Sequence, residues 1–597
     1  MKLPAILSAS LISSSLLLQG CSDTPVPVKQ VAPSQVLYSN ARIYTQDKEQ
    51  PWADAMVVED NTIVFVGNNT DAINYISTHP VAGTQSINLN GDVVLPGLID
   101  THTHPGLVAT LAEDDEEASE NHLPVDSKES LYKFLQDYAD KHPFKPIVML
   151  GEWDVNTFLP EGPNKAELDK IFPLRPVVLL DNSGHSQWAN SSALKLLGVN
   201  KDTPDLSPNI SMFARDEHGE PTGWIKEFAI FPKIGGMLVP GKEEVKEGVL
   251  AFLSFLSSRG VTTLWDAGNF NFDDDIYEAI AELDREGLLP VRYEGSYHIF
   301  DPKQIDIAAA EFLELRRKYA GHRLQFNTLK IHYDGVNEIL TGGMLEPYAI
   351  DPDNRGGILF DAERLSRFME ELNQEGIHLH LHTVGDWATR EALDAVELAR
   401  GRNNNSLDIE ITLSHLEIVS PEDIPRFAEL DVHANFTPHW FGGTVFGEAG
   451  KRALGLERAK RSQVAKAFVD AGANVTLSSD VVSERESYRA DPFIGMQMSV
   501  TRKEYNDPTG PVLSPANAGL TLEDALAAYT TNGAQQLGFG NELGSLSAGM
   551  KADFVVLPHS PFDMDINQLH QITPKATVLD GVLVSGTLIK PQHIAKK

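Results

Sequence analysis

The sequence predicts a mixed α/β protein: a parallel (β/α)8 barrel of the TIM type with a large insertion after its first strand, and a small β-sandwich built from both chain ends. Three observations predict this fold. Eight short apolar runs alternate with helical patterns, the gap between the first two runs is far too long for a loop, and β-rich segments lie near both termini. With 597 residues, the chain is long enough for a barrel and further domains.

The eight runs are short and apolar, as expected of strands buried in a parallel sheet. They cover residues 93–101, 261–266, 291–297, 324–333, 377–383, 409–415, 432–437 and 475–479. Helical patterns follow most of them, at 274–286, 304–318, 362–374, 387–400, 421–430, 458–471 and 522–538. Strands that alternate with helices in this way favour a parallel barrel.

The long gap after the first strand predicts an inserted lobe at about residues 106–245. The barrel with this insertion would take residues 96–538, and the sandwich would take 35–95 together with 539–597. Two dipeptides in the sandwich segments are suited to tight turns between neighbouring strands. They are Asp60-Asn61 and Asp580-Gly581.

Residues 1–20 have the character of a signal peptide, with an apolar stretch too short to span a bilayer. They end in Leu-Gln-Gly before Cys21, which resembles a bacterial lipobox, and the sequence contains no other cysteine. Acyl chains on Cys21 would anchor the protein, and the proline-containing residues 21–34 would tether it. We expect a secreted lipoprotein at the outer membrane, facing the periplasm; the alternative is an ordinary cleaved signal.

The formal net charge of −35 argues against a nucleic-acid partner, since a phosphate backbone would be repelled. It argues equally against a polybasic membrane-binding patch. The acidity is typical of a soluble surface. The partner we expect, apart from the membrane that holds the lipid anchor, is a small-molecule substrate. The oligomeric state, a homo-oligomer included, stays open.

His102 and His104 are two residues apart at the end of the first predicted strand, so their side chains face the same way. In a parallel barrel that position is the rim where active sites form, and two imidazoles there can bind one metal ion. His382 and His415 end the fifth and sixth predicted strands and reach the same rim. His378 and His380 lie deeper in the fifth strand, and we interpret them as structural.

Asp480 follows the eighth predicted strand, where a carboxylate can contact both a metal ion and its water and can transfer a proton. A helix cap or a loop carboxylate is the alternative for this residue. Lys330 lies within the fourth strand, where a desolvated, neutral amine could take up carbon dioxide and form a carbamate. Alternatively, Lys330 pairs with Asp334 or another carboxylate, and His332 or Asp334 serves at the centre instead.

The histidines, lysine and aspartate at these strand ends resemble the ligand set of the amidohydrolase superfamily. Several phrases resemble its family 3 branch, which includes N-substituted formamide deformylase-like proteins. They are residues 95–104, 184–194, 260–263, 382–386, 414–415, 479–480 and 546–554. The branch often has Ala-Ile where this sequence has Thr383-Val384, a conservative departure.

The resemblance implies a barrel with one or two divalent metal ions, zinc being favoured for histidine-rich ligation. The implied ligands are His102, His104, Lys330 (N-carboxylated), His382, His415 and Asp480. His185, in the inserted lobe, would face the site. Trp440, Trp153 and Trp188 either line a substrate pocket or simply pack.

The reaction expected from this centre is metal-dependent hydrolysis of a non-peptide carbon–nitrogen bond, of the amide, N-formyl or N-acyl kind, with Asp480 as general base and acid. Ester, lactam or carbamate hydrolysis on the same centre is one alternative. A non-catalytic surface lipoprotein that binds a metal ion or small ligand is another.

Overall fold

The structure is a computed structural model. It describes residues 35–110, 123–124, 127–234, 241–442, 445–588 and 592–593. The expected signal peptide 1–20, the tether 21–34 and the lipidation site Cys21 lie outside these residues. Among the described helices, none combines the length and the apolar character that crossing a bilayer requires.

Two parallel sheets form the centre of the described chain. In sheet order, the strands of the first are Leu324–Gln325, Arg292–Glu294, Val261–Asp266 and Leu98–Thr103. Those of the second are His298–Ile299, Thr328–His332, His378–Thr383, Ile411–His415, Val432–Phe436 and Val475–Leu477. All neighbouring pairs are parallel, as the alternation of strands with helices predicts.

The two parallel sheets approach each other at both edges. The fourth predicted strand is interrupted and contributes one short strand to each sheet. The third is shortened to Arg292–Glu294 in one sheet and is followed by His298–Ile299 in the other. At the other edge, the Asp480 N–H donates to the His102 carbonyl oxygen at 2.8 Å, and the His104 N–H donates to the Val481 carbonyl oxygen at 3.1 Å. The fold is therefore mixed α/β, with the carboxyl ends of the first and last strands side by side.

Helices surround the parallel strands. Their bounds are Pro105–Thr110, Lys242–Ser258, Asp273–Arg285, Ala308–Tyr319, Ala362–Glu375, Asp386–Arg402, Ile424–Glu429, Val445–Leu454, Leu456–Ala459, Ala465–Asp470, Pro492–Thr501, Leu522–Ala528 and Thr531–Gln536. Short 3-10 helices lie at Val155–Thr157, Glu227–Ile230, Pro302–Asp306, Asn337–Ile339, Pro438–Phe441, Glu484–Ala490, Pro561–Asp563 and Ile566–Gln571. Most predicted helices are found within a few residues of their predicted bounds, but 522–538 is two short helices.

The prediction of one helix over 458–471 is wrong, because the helix breaks after Ala459. Arg502 is fully buried beside the break. Its guanidinium donates to the carbonyl oxygens of Gln463 at 2.6 Å and Ser462 at 3.3 Å. These carbonyls face a buried cation, so they cannot accept the hydrogen bonds of a continuous helix.

The chain between the first two parallel strands forms a separate five-stranded sheet. In sheet order its strands are Phe213–Arg215, Pro221–Lys226, Ser186–Ala189, Val177–Asp181 and Val148–Trp153. Its helices are Lys128–Lys141, Lys165–Ile171, Ser191–Leu196 and Phe231–Ile234. Trp153 and Trp188 lie fully buried in its core against Phe158, so they pack and do not line a pocket.

Two further sheets contain strands from both ends of the chain. The first has the order Gln592–His593, Gln85–Asn88, Val36–Ser39, Ala55–Glu59 and Thr62–Gly67, and helix Asn69–Thr78 packs beside it. The second has the order Val582–Gly586, Ala576–Leu579, Phe554–Leu557, Val93–Pro96, Arg42–Tyr44 and Trp52–Ala53. Tyr38 and Phe554 bring the sheets together in one buried cluster, with ring centroids 5.0 Å apart. The turns at Asp60 and Asp580 both connect antiparallel neighbours.

The predicted first strand, 93–101, is divided between two sheets. Val93–Pro96 belongs to a terminal sheet, and Leu98–Thr103 belongs to a parallel sheet. Gly97 lies between them, and a Cβ at this position would stand 2.2 Å from the Thr262 Oγ1. Only glycine permits this close approach, which passes the chain from one sheet into the next.

Candidate functional site

The candidate site lies at the carboxyl ends of the parallel strands and begins with two buried histidines, His102 and His104. The Nδ1 of His102 is 3.1 Å from the Nε2 of His380, and the Nδ1 of His104 is 3.0 Å from the Gly268 carbonyl oxygen. Each ring is therefore oriented through Nδ1 and presents Nε2 to the centre of the site.

Asp480 places its carboxylate among three histidines. Its Oδ1 lies 3.3 Å from the Nε2 of His102 and 3.5 Å from the Nε2 of His104, and its Oδ2 lies 3.7 Å from the Nδ1 of His415. The backbone of Asp480 is left-handed, with φ of +51°, and is held by the hydrogen bond to the His102 carbonyl. One carboxylate thus connects the first, sixth and eighth predicted strands.

His415 presents a buried nitrogen to this carboxylate. Its Nδ1 has no hydrogen-bond partner among the described residues. Burial lowers the pKa of His415 well below its usual range, and the neutral imidazole is the form that binds metal ions. Ligand atoms of His102, His415 and Asp480 lie within 4.8 Å of one another, a spacing that one ion could bridge.

His382 lies next to His415, with ring centroids 4.5 Å apart. Its Nδ1 is 3.2 Å from the Oδ1 of Asp334. Three backbone N–H groups each donate to the Asp334 carboxylate at 2.9 Å, those of Gly343, Val384 and Gly385. Asp334 therefore orients His382 and leaves its Nε2 available, which is the usual way a carboxylate supports a metal-binding histidine.

Lys330 is buried with its Nζ 3.3 Å from the Nε2 of His102. Desolvation lowers the pKa of Lys330 to about 7, although the negative charge of Asp480 opposes this shift. Asp334, the carboxylate considered as its partner, is hydrogen-bonded to His382 and to backbone groups instead. The amine thus lies at the centre of the site without a carboxylate ion pair among the described residues.

The two histidines interpreted as structural differ in their relation to the site. His378 lies at the far end of its strand, where its Nδ1 accepts the Glu410 N–H at 3.0 Å. His380 is hydrogen-bonded to His102 and stacks on Trp265 with centroids 4.3 Å apart. His378 is remote from the site, whereas His380 is a positioning residue for His102.

A second group of ligand-type side chains lies beside the first, formed by His185, Glu227 and His332. His332 stacks on His382 with centroids 3.8 Å apart, and His185 lies 6.0 Å from the same ring. Burial alone would lower the pKa of His185, but the charge and hydrogen bond of Glu227 outweigh it and raise that pKa to about 9. His185 thus lies beside the end of the strand that carries His382.

Comparison with known families matches residues 85–585 to the amidohydrolase family. The chain belongs to this family. The chain is therefore an amidohydrolase, a hydrolase that acts on carbon–nitrogen bonds.

This amidohydrolase is similar to several curated proteins over most of its length. It is 27% identical over 552 residues to a putative amidohydrolase, YtcJ, of Bacillus subtilis (strain 168), covering 92% of this chain and 99% of that protein. It is 25% identical to the N-substituted formamide deformylase of Arthrobacter pascens over 91% of this chain and 97% of that protein. It is 30% identical to the exoenzymes regulatory protein AepA of Pectobacterium carotovorum subsp. carotovorum, over 68% of this chain and 86% of that protein.

Solved structures share the fold. An uncharacterized metal-dependent hydrolase from Pyrococcus horikoshii OT3 matches with a TM-score of 0.63 and 22% identity, over 89% of this chain and 99% of that one. Another, from Pyrococcus furiosus, matches with a TM-score of 0.60 and 24% identity, over 89% and 100%. The overall fold of the chain is therefore shared with known structures.

A pocket opens beside the site of this amidohydrolase. Its lining includes Ser183, His185, Glu338, Glu417 and Trp440. The Trp440 ring lies 5.1 Å from that of His415, so it forms the wall nearest to the histidines. Both residues named as substrate-binding candidates, His185 and Trp440, face this pocket.

Two buried residues of the site, Glu227 and His298, were not predicted from the sequence. Glu227 follows a strand of the inserted sheet, where no motif marks it. His298 is the first residue after the third predicted strand, and both of its ring nitrogens are buried without a partner among the described residues. Its position at the end of a predicted strand could have identified it, because His382 and His415 were recognised from the same kind of position.

Proposed function

We propose that this amidohydrolase is a metal-dependent hydrolase that cleaves an amide-type carbon–nitrogen bond in a small N-formyl or N-acyl compound. The observation that carries the proposal is the convergence of Asp480 with His102, His104 and His415 at distances between 3.3 and 3.7 Å. Five groups complete a centre with Asp480, namely His102, His104, Lys330, His382 and His415. We propose the same six side chains as the metal ligands.

The donor set suits a divalent cation. Neutral imidazoles and a carboxylate are the ligands that zinc prefers, and the buried Nδ1 of His415 lacks any other partner among the described residues. A divalent cation held there would lower the pKa of a bound water from about 15.7 to about 7 and polarise the substrate carbonyl.

Asp480 is the group placed to move the proton. Its Oδ1 is shared between His102 and His104, while its Oδ2 points toward His415, so the carboxylate lies at the centre of the donor set. It accepts a proton from the attacking water and delivers it to the departing nitrogen, acting first as general base and then as general acid. The leaving amine thus departs neutral.

Lys330 is proposed to carry a carbamate. Its buried amine adds to carbon dioxide, forming an N–C bond and releasing one proton to solvent, and the product is an anion with two donor oxygens. Burial and the lack of a carboxylate ion pair among the described residues support this modification. With the carbamate the centre holds two cations, and without it one.

The substrate class is proposed from the pocket and from one relative. Trp440 offers an aromatic face beside His415, and His185 offers a hydrogen-bonding ring at the same opening. The relative from Arthrobacter pascens is a deformylase of N-substituted formamides. We therefore favour a compound whose acyl group reaches Asp480 while its substituent lies against Trp440.

The two parallel sheets are proposed to act as one eight-stranded barrel, with the insertion covering its mouth and the terminal sheets forming a sandwich. We propose further that residues 1–20 are a signal peptide and that acylated Cys21 anchors the enzyme at the outer membrane, facing the periplasm. Metabolic labelling with a palmitate analogue, compared with a Cys21→Ala variant, tests the anchor. Equal labelling of the two proteins would disprove it.

Replacing Asp480 with Asn tests the proposed chemistry. We expect the variant to retain bound metal by elemental analysis but to lose at least about a hundredfold in turnover, because the amide cannot accept the proton. Glu484→Gln, which changes an exposed carboxylate four residues away, is the matched control and should keep normal rates. Normal turnover by the Asp480 variant would refute the role of this residue.

A substrate panel distinguishes the proposed reaction from its alternatives. N-formyl, N-acyl, lactam, carbamate and ester compounds are compared with the metal-loaded enzyme, and we expect the highest kcat/KM among the N-acyl compounds. A preference for esters, lactams or carbamates would contradict the proposed substrate class but would leave the proposed metal centre unaffected. Bound metal without turnover of any compound would favour a binding protein.

A further inference from the structure

A second cluster of ligand-type side chains lies beside the proposed centre and shares no residue with it. Donor atoms of His185, Glu227 and His332 lie within 4.8 Å of one another. The Oε2 of Glu227 is 2.6 Å from the Nδ1 of His185 and 3.7 Å from the Nε2 of His332. One carboxylate oxygen therefore faces two imidazoles.

The imidazole of His332 is the group that the fold leaves unsatisfied. The residue is 5% exposed, and its Nε2 makes no hydrogen bond to the described residues. That nitrogen points toward the Glu227 carboxylate at a distance too long for a hydrogen bond. A buried polar atom without a partner is costly, so a ligand bound there would satisfy the His332 nitrogen.

Glu227 is held in the orientation that a ligand requires. Its Oε1 accepts hydrogen bonds from the Thr341 hydroxyl at 2.5 Å and from the Val336 N–H at 3.2 Å. Its backbone N–H donates to the His185 carbonyl oxygen at 2.7 Å. These hydrogen bonds fix the position of Oε1, and the other carboxylate oxygen, Oε2, faces the two histidines.

We propose that His185, Glu227 and His332 form a second divalent-cation site, which takes zinc or a similar transition-metal ion. A cation would displace the proton that the His185 Nδ1 shares with the Glu227 carboxylate. Two imidazoles and one carboxylate would then make a three-residue set that leaves a coordination position open. Asp480 and the strand-end histidines of the first centre are not needed for it. His382 lies between the two sites, stacked on His332 and bound to Asp334 through Nδ1.

The second cation would join two parts of the fold. His185 precedes strand Ser186–Ala189 and Glu227 follows strand Pro221–Lys226, both in the inserted sheet. His332 ends the parallel strand Thr328–His332. Zinc should therefore slow backbone hydrogen exchange in the inserted sheet around these two residues, an effect independent of turnover.

The test uses the full chain, stripped of metal with a chelator and then titrated with zinc. Elemental analysis gives the stoichiometry, and anomalous scattering at the zinc edge locates each ion. We expect an ion between His185, Glu227 and His332 in the wild type. The His332→Gln and His185→Gln variants should each bind one zinc ion fewer per chain, while zinc at the Asp480 centre remains.

His378→Gln is the matched control, because His378 lies at the end of its parallel strand that is remote from the cluster, where its Nδ1 accepts the Glu410 N–H. It should bind as much zinc as the wild type. Thermal melting checks that each variant folds. If His332→Gln does not fold, His185→Gln provides the second test, because the His185 side chain is partly exposed.

Two results would overturn the proposal. One is zinc at the Asp480 centre with no anomalous peak at the second cluster under saturating zinc. The other is wild-type stoichiometry in both His332→Gln and His185→Gln. A peak at the second cluster with none at Asp480 would refute the metal centre of the proposed function and leave the second site established.

Discussion

At the scale of single residues, orientation is what distinguishes the histidines of this molecule. Spacing along the chain predicted that His102 and His104 would face one side and that His415 would reach them, and the structure places all three around Asp480. The same spacing could not reveal that His380 supports His102, because that hydrogen bond joins two strands.

Replacing His380 with Phe should weaken zinc binding by about ten- to a hundredfold, because His102 loses the partner that orients its ring. The phenyl ring keeps the volume and the stacking on Trp265, so the melting temperature should change little. Competition with a chelator measures the zinc Kd. His378→Phe, two residues earlier on the same strand, should leave that Kd unchanged. A similar loss in both variants would mean that the effect is general packing.

Glu227 shows why part of the site could not be read from the sequence. It lies in the inserted sheet, far along the chain from His332, and only the folded structure brings the two within 3.7 Å. His185 was found because it lies in a phrase that resembles the family, and Glu227 has no such phrase. Long-range contacts of this kind leave no local pattern.

At the scale of elements, the predicted strands and most helices are present because their apolar periodicity is strong. The failure at 458–471 has a specific cause. The helical pattern of the sequence continues through that region. In the structure, however, the buried Arg502 guanidinium donates hydrogen bonds to the carbonyl oxygens of Ser462 and Gln463. Gln463 also adopts a left-handed φ of +55°. A tertiary contact overrides local propensity there.

Replacing Arg502 with Ala should destabilise the protein by roughly 3 kcal/mol or more, because several buried carbonyls lose a charged donor. Thermal or denaturant unfolding measures the change. Lys503→Ala removes a neighbouring cation that donates to one exposed carbonyl, that of Pro508, and should cost less than about 1 kcal/mol. An equal effect of both substitutions would contradict the role given to Arg502.

Glu294, in the strand Arg292–Glu294, predicts a pH dependence of stability. Burial raises the pKa of its carboxyl to about 8, against an ordinary value of 4.5. The folded state therefore binds a proton that the unfolded state releases, and stability falls as the pH rises from about 4.5 to about 8. In Glu294→Gln the free energy of unfolding should fall less over this pH range, by up to a few kcal/mol. The reason is that each unit by which the pKa changes on folding corresponds to about 1.4 kcal/mol.

Denaturant unfolding at several pH values measures this dependence. The exposed Glu311→Gln should follow the wild-type curve. If Glu294→Gln also follows it throughout this range, the buried carboxyl does not titrate as described.

At the scale of the whole molecule, the parallel strands and the terminal sheets are joined through a buried guanidinium. Arg292 donates to Asp553 at 2.7 Å and to Asp580 at 2.9 Å, while the exposed Arg42 makes an ion pair with Asp563 at 2.6 Å. Asp553→Ala should cost about 3 kcal/mol, since it leaves Arg292 short of a partner. Asp563→Ala should cost less than about 1 kcal/mol. An equal loss of stability in the two variants, measured by thermal unfolding, would show that burial of the Arg292–Asp553 pair does not increase its contribution to stability.

The sequence indicated this large-scale arrangement through the β-rich runs at both ends of the chain. It could not give the sheet orders, because strand pairing between distant segments depends on packing rather than on local pattern. The division of the first predicted strand at Gly97 was likewise hidden, since the apolar run continues without a break.

The pairing of Val93–Pro96 with Phe554–Leu557 determines when this protein can finish folding. A ribosome or a translocation channel releases the amino-terminal half long before its partner strand has been made. Until the last segment emerges, the early strands keep an open edge and have to be protected from association with other chains. The native state of such a chain becomes accessible only after the strand Phe554–Leu557 has been made.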